Sequence, residues 1–190
     1  MTDEKLIAQY KNGNMRAFNL LVERWQQRVF RFAYHYFGSY DEAMEITQKT
    51  FIRAHKKIHT LNHSDKFSSW IYRIANNLCL DESKRAGRRW STSLEAVAFH
   101  PVIQDADTHP GRFVQQKELK LLLQRALNQL PPPQRTVVIM KEYEGLKFRE
   151  IAEILAIPES TVKTRMYSGL KTLKKLFEQW NIEPEVINYE

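Results

Sequence analysis

Phe148-Arg149-Glu150-Ile151-Ala152-Glu153-Ile154-Leu155-Ala156-Ile157-Pro158-Glu159-Ser160-Thr161-Val162-Lys163-Thr164-Arg165 decides how the second half of this chain is read. Its apolar residues recur at helical spacing, pause at Ala156-Ile157-Pro158, and then resume. Ile151, Leu155, Ile157 and Val162 supply contacts between two short helices, and small Ala152 permits a close crossing. Pro158 suits the first turn of the second helix, where its missing N–H costs nothing. Many such turns carry Gly at the place of Ala156, because a left-handed backbone there costs Ala about 1 kcal/mol. The segment reads as a helix-turn-helix. The outward face of its second helix carries Ser160, Thr161, Lys163, Thr164, Arg165 and Tyr167, with Lys171 one turn beyond. Short hydroxyl and long basic side chains near a helix N-terminus suit a reader of the DNA major groove. The plainer alternative is a surface helix of a bundle with solvated charges.

Upstream of the motif, Leu119, Leu122, Leu123, Ala126, Leu127 and Leu130 form an apolar stripe that stops at Pro131-Pro132-Pro133. A helix from about Gln134 to Glu144 follows, closed by Gly145. The motif's helices run from Lys147 to Leu155 and from Pro158 to about Gln179, and an acidic tail fills 181–190. The first half repeats the pattern. Phe18, Leu21, Val22, Trp25, Val29, Phe32, Ala33 and Tyr36 mark one long amphipathic helix ended by Gly38. Ser39 or Asp41 caps the next, which sets Ala43, Ile46, Thr50, Phe51 and Ala54 on one face. After the polar run 60–66, Phe67 to Arg85 resumes the period through Trp70, Ile71, Ile74, Ala75 and Leu78. Between the halves the periodicity lapses into linker composition. The expectation is an all-α protein of two small helical domains, 1–90 and 113–180, joined by a flexible linker, 91–112.

Charge adds to this. The 190 residues carry a net charge of +7, which suits an anionic partner. The excess sits in residues 1–90, where Lys84-Arg85-Ala86-Gly87-Arg88-Arg89 is the densest run. Cys79 is the one cysteine, so neither an internal disulfide nor a cysteine zinc cluster can form. The first residues do not read as a signal peptide, and no uncharged stretch approaches membrane-spanning length. A cytoplasmic protein without membrane insertion, metal or cofactor is expected.

In the first block, Phe67-Ser68-Ser69-Trp70-Ile71-Tyr72-Arg73 with Asn76, Asn77, Lys84 and Arg85 mixes aromatics, amides and cations. Such groups stack on and hydrogen-bond unpaired bases while holding the backbone. Trp70, Ile71 and Ile74 fit a protein core as readily.

Three motifs in order carry a resemblance. They are Asp41-Glu42-Ala43-Met44-Glu45-Ile46-Thr47-Gln48-Lys49-Thr50-Phe51-Ile52-Arg53-Ala54, Phe67 through Asn77, and Ile157 through Arg165. Together they closely resemble the extracytoplasmic-function (ECF) group of the sigma-70 family of bacterial RNA polymerase sigma factors, over about residues 5–90 and 113–180. The resemblance implies a subunit that directs core polymerase to promoters and has no active site. It assigns Asp41, Glu42, Glu45, Gln48, Phe51 and Arg53 to docking on the clamp helices of the largest polymerase subunit. The family commonly has acidic residues where this chain has Thr47 and Lys49. It assigns Asn62, His63, Ser64 and Lys66 to a loop that captures a flipped base of the −10 element. Phe67, Ser69, Trp70, Arg73, Asn76, Asn77, Lys84, Arg85 and Arg88 would hold the separated strand. The helix from Pro158 would read the −35 element. The implied partners are core RNA polymerase (clamp helices and flap), promoter DNA as duplex and melted strand, and an anti-sigma or other recruiting protein.

Two other classes fit these residues less well. For an enzyme, His55, His59 and His63 recur every four residues, but the glutamate of a zinc-protease helix is missing and lysines flank them. No phosphate-binding Gly-rich loop or nucleophile elbow is present. A conventional transcription regulator would share the helix-turn-helix. It would usually place a ligand or phosphoacceptor domain in front, where this chain has a basic helical block.

Overall fold

The computed structural model describes residues 1–89 and 110–181, with side chains from 1–85 and 118–181. The linker 91–112 therefore lies almost wholly outside the described residues, as does the tail 182–190. Every regular element among the described residues is helical.

Four helices build the first bundle: α1 (Asp3–Lys11), α2 (Met15–Phe37), α3 (Tyr40–Lys57) and α4 (Phe67–Arg89). Local chemistry sets their ends. The Asn14 side chain accepts from Arg16 N–H at 3.1 Å to open α2. Gly38, at φ 75°, closes α2 in the left-handed conformation that glycine adopts without strain. Of the two candidate caps for α3, Ser39 takes the role, accepting from Glu42 N–H at 3.3 Å. Two single 3-10 turns, Ile58–Thr60 and Ser64–Lys66, carry the chain from α3 to α4. Leu6, Leu21, Val29, Phe32, Ile46, Ala54, Phe67 and Ile71 are fully buried between these helices. Cys79 is buried among them as a small apolar residue.

The second bundle comprises α5 (Pro110–Gln129), α6 (Pro132–Val138), α7 (Phe148–Leu155) and α8 (Glu159–Gln179). Its first helix begins three residues before the expected boundary, and α4 continues to Arg89, beyond the expected Arg85. The triple proline ends α5 and opens α6, since Pro costs nothing in a first helical turn. The helix expected to run to Glu144 changes at Ile139 into a π-helical turn, Ile139–Tyr143. Sequence periodicity carries no signal for such a turn.

The two bundles pack against each other. Helix α4 meets α6 and α7, while α2 meets α5 and the π-helical turn. Leu127, Leu130, Val137 and Ile139 join the apolar cluster that includes Phe32 and Tyr36. Arg135 bridges the seam: its guanidinium donates to the carbonyls of Tyr36 (3.2 Å), Asn128 (2.6 Å) and Leu130 (3.2 Å). The same group lies 5.1 Å above the Tyr36 ring.

Candidate nucleic-acid and polymerase interfaces

The helix-turn-helix is built from its turn outward. Leu155 ends α7 and Ala156 takes φ 53°, ψ 46°, the left-handed conformation normally left to glycine. Ile157 N–H donates to the Ala152 carbonyl at 3.2 Å and Ala156 N–H to that of Glu153 at 3.4 Å. This is the Schellman pattern, which satisfies two orphan carbonyls and reverses the chain in three residues. Pro158 stands just before α8 rather than inside its first turn, at φ −59°. At the start of α7, the Glu150 carboxylate accepts from Lys147 N–H at 2.6 Å.

Ile151, Ile154, Val162 and Met166 are buried beneath the motif and fix the helices to each other. With that face inward, Ser160, Lys163, Thr164 and Lys171 lie exposed on α8, and Tyr167 is 64% exposed. Thr161 and Arg165 are half-buried at the edge of the same face. Lys163 Nζ pairs with Glu159 at 2.8 Å and lies 5.8 Å from the Phe148 ring centre, so its ammonium is held near the helix start. The Glu159 carboxylate raises the Lys163 pKa above the ordinary lysine value.

On α3 the buried face is Ala43, Ile46, Thr47, Thr50, Phe51 and Ala54. Phe51, which the family resemblance places in the docking set, is a core residue at 8% exposure. Thr47 is buried too, its hydroxyl donating to the Ala43 carbonyl at 2.7 Å, so this departure from the family pattern faces inward. Lys49 pairs with Glu45 at 2.5 Å and Glu82 at 3.9 Å, which offsets its charge within the protein. Asp41, Glu45, Gln48 and Arg53 are exposed, and Glu42 is half-buried with its carboxyl pushed up by burial and by Glu82. Met44 (37% exposed) and Ile52 (55% exposed), which the expected docking set does not include, are exposed on the same helix. They stand one turn either side of Gln48 and form an apolar stripe on the outward face. That spacing was visible in the sequence.

In the 62–66 loop, Asn62, His63 and Lys66 are exposed and Ser64 half-buried. Lys11 Nζ donates to the Leu61 carbonyl at 2.6 Å and ties the loop's base to α1. Along α4 the assigned residues separate into two groups. Asn77, Lys84 and Arg85 are exposed and Ser69 and Trp70 half-buried, while Phe67 is core, packed edge-on against Trp25 at 5.8 Å. Asn76 is 4% exposed and accepts from the Thr136 hydroxyl at 2.9 Å. Arg73 Nε donates to the Ile154 carbonyl at 2.8 Å. Arg88 lies in α4, but its side chain is outside the described residues. Rings of His55 and His59 flank Tyr10 at 5.7 and 5.6 Å. Among the described residues no three His, Cys, Asp or Glu side chains gather as metal ligands.

Comparison with known proteins bears on both bundles. The pattern described as Sigma-70 region 2 matches residues 21–89, and that described as Sigma-70, region 4 matches residues 120–173. The ECF RNA polymerase sigma factor SigW of Bacillus subtilis (strain 168) is 33% identical over 181 residues, 92% of this chain and 96% of that protein. The chain belongs to the ECF group of the sigma-70 family. Its function is promoter-directed initiation of transcription. The ECF sigma-E factor of Haemophilus influenzae is also similar, 30% identical over 92% of this chain and 94% of its own. Two solved structures share the fold. CnrH, in complex with the cytosolic domain of CnrY, superimposes with a TM-score of 0.68 at 22% identity, over 93% of this chain and 97% of that one. The Bartonella quintana sigma factor RpoE, in complex with the anti-sigma factor NepR, gives 0.66 at 21% identity, over 86% and 98%. No helix among the described residues is long and apolar enough to cross a membrane.

Proposed function

We propose a division of labour for this sigma factor. The exposed face of α8 reads the −35 element as duplex, the 62–66 loop and the outer side of α4 hold the melted −10 strand, and the outward face of α3 docks on the polymerase clamp helices. The observation that carries it is the face of α8 itself. Ser160, Lys163, Thr164, Tyr167 and Lys171 all reach solvent from a helix anchored by buried Val162 and Met166.

The physical logic is that melting a promoter costs a few kcal/mol for each extruded base. A subunit offsets that cost by binding the separated strand better than the duplex, which takes cations and stacking surfaces rather than catalytic groups. Lys66, Asn77, Lys84 and Arg85 are exposed where such a strand would run. On this reading the chain leaves bond-making to the polymerase. Two modest DNA contacts on one tether gain through effective concentration once polymerase fixes their spacing. An anti-sigma or other recruiting protein belongs to the same proposal as a further partner.

The test is Arg165→Ala in reconstituted holoenzyme, scored on promoters altered at each upstream position. Loss of one base-reading contact should reduce discrimination there by about 1–3 kcal/mol, with core binding intact. Unchanged preference would remove Arg165 from the reading face.

A further inference from the structure

We propose that α1 braces the 62–66 loop, with Lys11 and Asp3 as positioning residues that hold the loop's two ends. The brace rests on contacts within the first bundle, whereas its consequence for DNA rests on the strand-capture reading above. The region 2 match begins at residue 21, so α1 lies outside it.

The residues that flank the loop are buried, Leu61 at 6% and Phe67 at 1% exposure, while Asn62 and His63 between them are exposed. At the first end, Lys11 Nζ donates to the Leu61 carbonyl at 2.6 Å, joining residues 50 apart in sequence. An ammonium donor makes this a charge-assisted bond, stronger than a neutral pair. One residue earlier, Tyr10 is buried against the rings of His55 on α3 and His59 on the turn that leads into the loop. At the second end the support runs through Trp25. Asp3 accepts from Trp25 Nε1 at 2.9 Å, and the Trp25 ring meets that of Phe67 edge-on at 5.8 Å. Helix α1 also packs directly on the Ser64–Lys66 turn.

A brace must itself be fixed, and α1 is. Leu6 and Ile7 are fully buried, and the helix packs along α2. Asp3 pairs with Arg24 of α2 as well as with Trp25, and Thr2 caps the helix by accepting from Lys5 N–H at 3.4 Å. The two ends of α1 thus reach the two ends of the loop from one rigid element. That matters because a pocket for one extruded base discriminates only if its walls stay within about 0.5 Å of the productive geometry. A loop with loose ends samples many shapes and reads none of them well. Lys11, half-buried under the loop, acts through the Leu61 carbonyl rather than on a base.

The test compares Lys11→Met, Asp3→Ala and the conservative Lys11→Arg with the wild type, each checked for folding by thermal melting. Amide hydrogen exchange in the full chain reads the brace directly. Residues 61–66 should exchange about tenfold faster in Lys11→Met and Asp3→Ala, with α8 unchanged. In reconstituted holoenzyme, promoters carrying each base at each −10 position then read the consequence. Discrimination should fall about tenfold at the captured position, as a displacement of under an ångström can produce. It should stay unchanged at the −35 element and survive in Lys11→Arg. Unchanged loop exchange in both disruptive variants overturns the proposal. So does a loss spread evenly over both elements, or a Lys11→Arg chain that behaves as Lys11→Met. A loosened loop with unchanged −10 preference overturns it too, and Asn62→Ala then decides the fate of the capture reading separately. That reading falls only if Asn62→Ala also leaves the −10 preference unchanged.

Discussion

Gly169 of α8 lies so close to Val138 of α6 that a β-carbon built on it would stand 2.9 Å from Val138 Cγ2. Two helices of the second bundle cross here at a distance only hydrogen allows. Gly169→Ala should therefore destabilise the chain by about 1–3 kcal/mol despite the better helix propensity of Ala. Val138→Ala in the same chain should return part of that loss, a coupling that denaturation of the two single variants and the double variant would measure. Simple additivity would show that the helices are not limited by this contact.

At Ala156 the expected sign is reversed. Its φ of 53° is strained for any residue with a β-carbon, so Ala156→Gly should stabilise the chain by about 1 kcal/mol. The urea midpoint should rise with no change in the slope of the transition. A fall would mean that the turn relaxes away from the left-handed conformation in solution.

Phe51 and Ile52 are neighbours with opposite expected roles. Phe51→Ala should cost about 3–5 kcal/mol of stability, because it empties a core site. Ile52→Ala should leave the melting temperature nearly unchanged and cost about 1–2 kcal/mol of affinity for core polymerase. Titration of labelled sigma factor with core enzyme separates the two. Equal core affinity for Ile52→Ala and wild type would take the apolar stripe of α3 out of the docking surface.

The ring of His35 packs at a tilt against that of Tyr143, 4.0 Å away across the seam. Burial, with Arg31 beside it, pulls its pKa down from 6.5 to about 4. The folded state thus holds the imidazole neutral where an unfolded chain would protonate it. That contribution is complete above about pH 6.5 and is lost as pH falls from there toward 4. Glu144 acts in the opposite sense, since burial raises its carboxyl and folding takes up its proton in mildly acidic solution. His35→Gln isolates the histidine part. Between pH 7 and pH 5 its urea midpoint should fall less than that of the wild type, and parallel losses would assign the acid sensitivity elsewhere.

Much of the architecture was legible because it follows local rules. The stripe from Phe18 to Tyr36 buries as its spacing demands, Gly38 and Ser39 end and open helices as their chemistry requires, and Ala156 marks the turn. Phe51 shows where a site assignment left those rules. Its spacing with Ala43, Ile46, Thr50 and Ala54 already set it on the inward face, whereas its docking role came from resemblance alone. Asn76 and Arg73 were not legible in the same way. Their partners, Thr136 and Ile154, lie 60 and 81 residues away, and no local pattern reports a contact between two bundles. The part-buried polar pair Tyr72–Glu144 was hidden for the same reason.

The central claim is that this chain gives core RNA polymerase a promoter preference through two separate DNA contacts. Run-off transcription by cognate core enzyme, with and without the chain, and mapping of the resulting start sites test it most directly. Initiation should require the chain and begin at one fixed distance downstream of a shared pair of sequence elements. Arg165→Ala should weaken the dependence on the upstream element alone. A chain that binds duplex DNA yet never enables core polymerase to initiate would contradict the account.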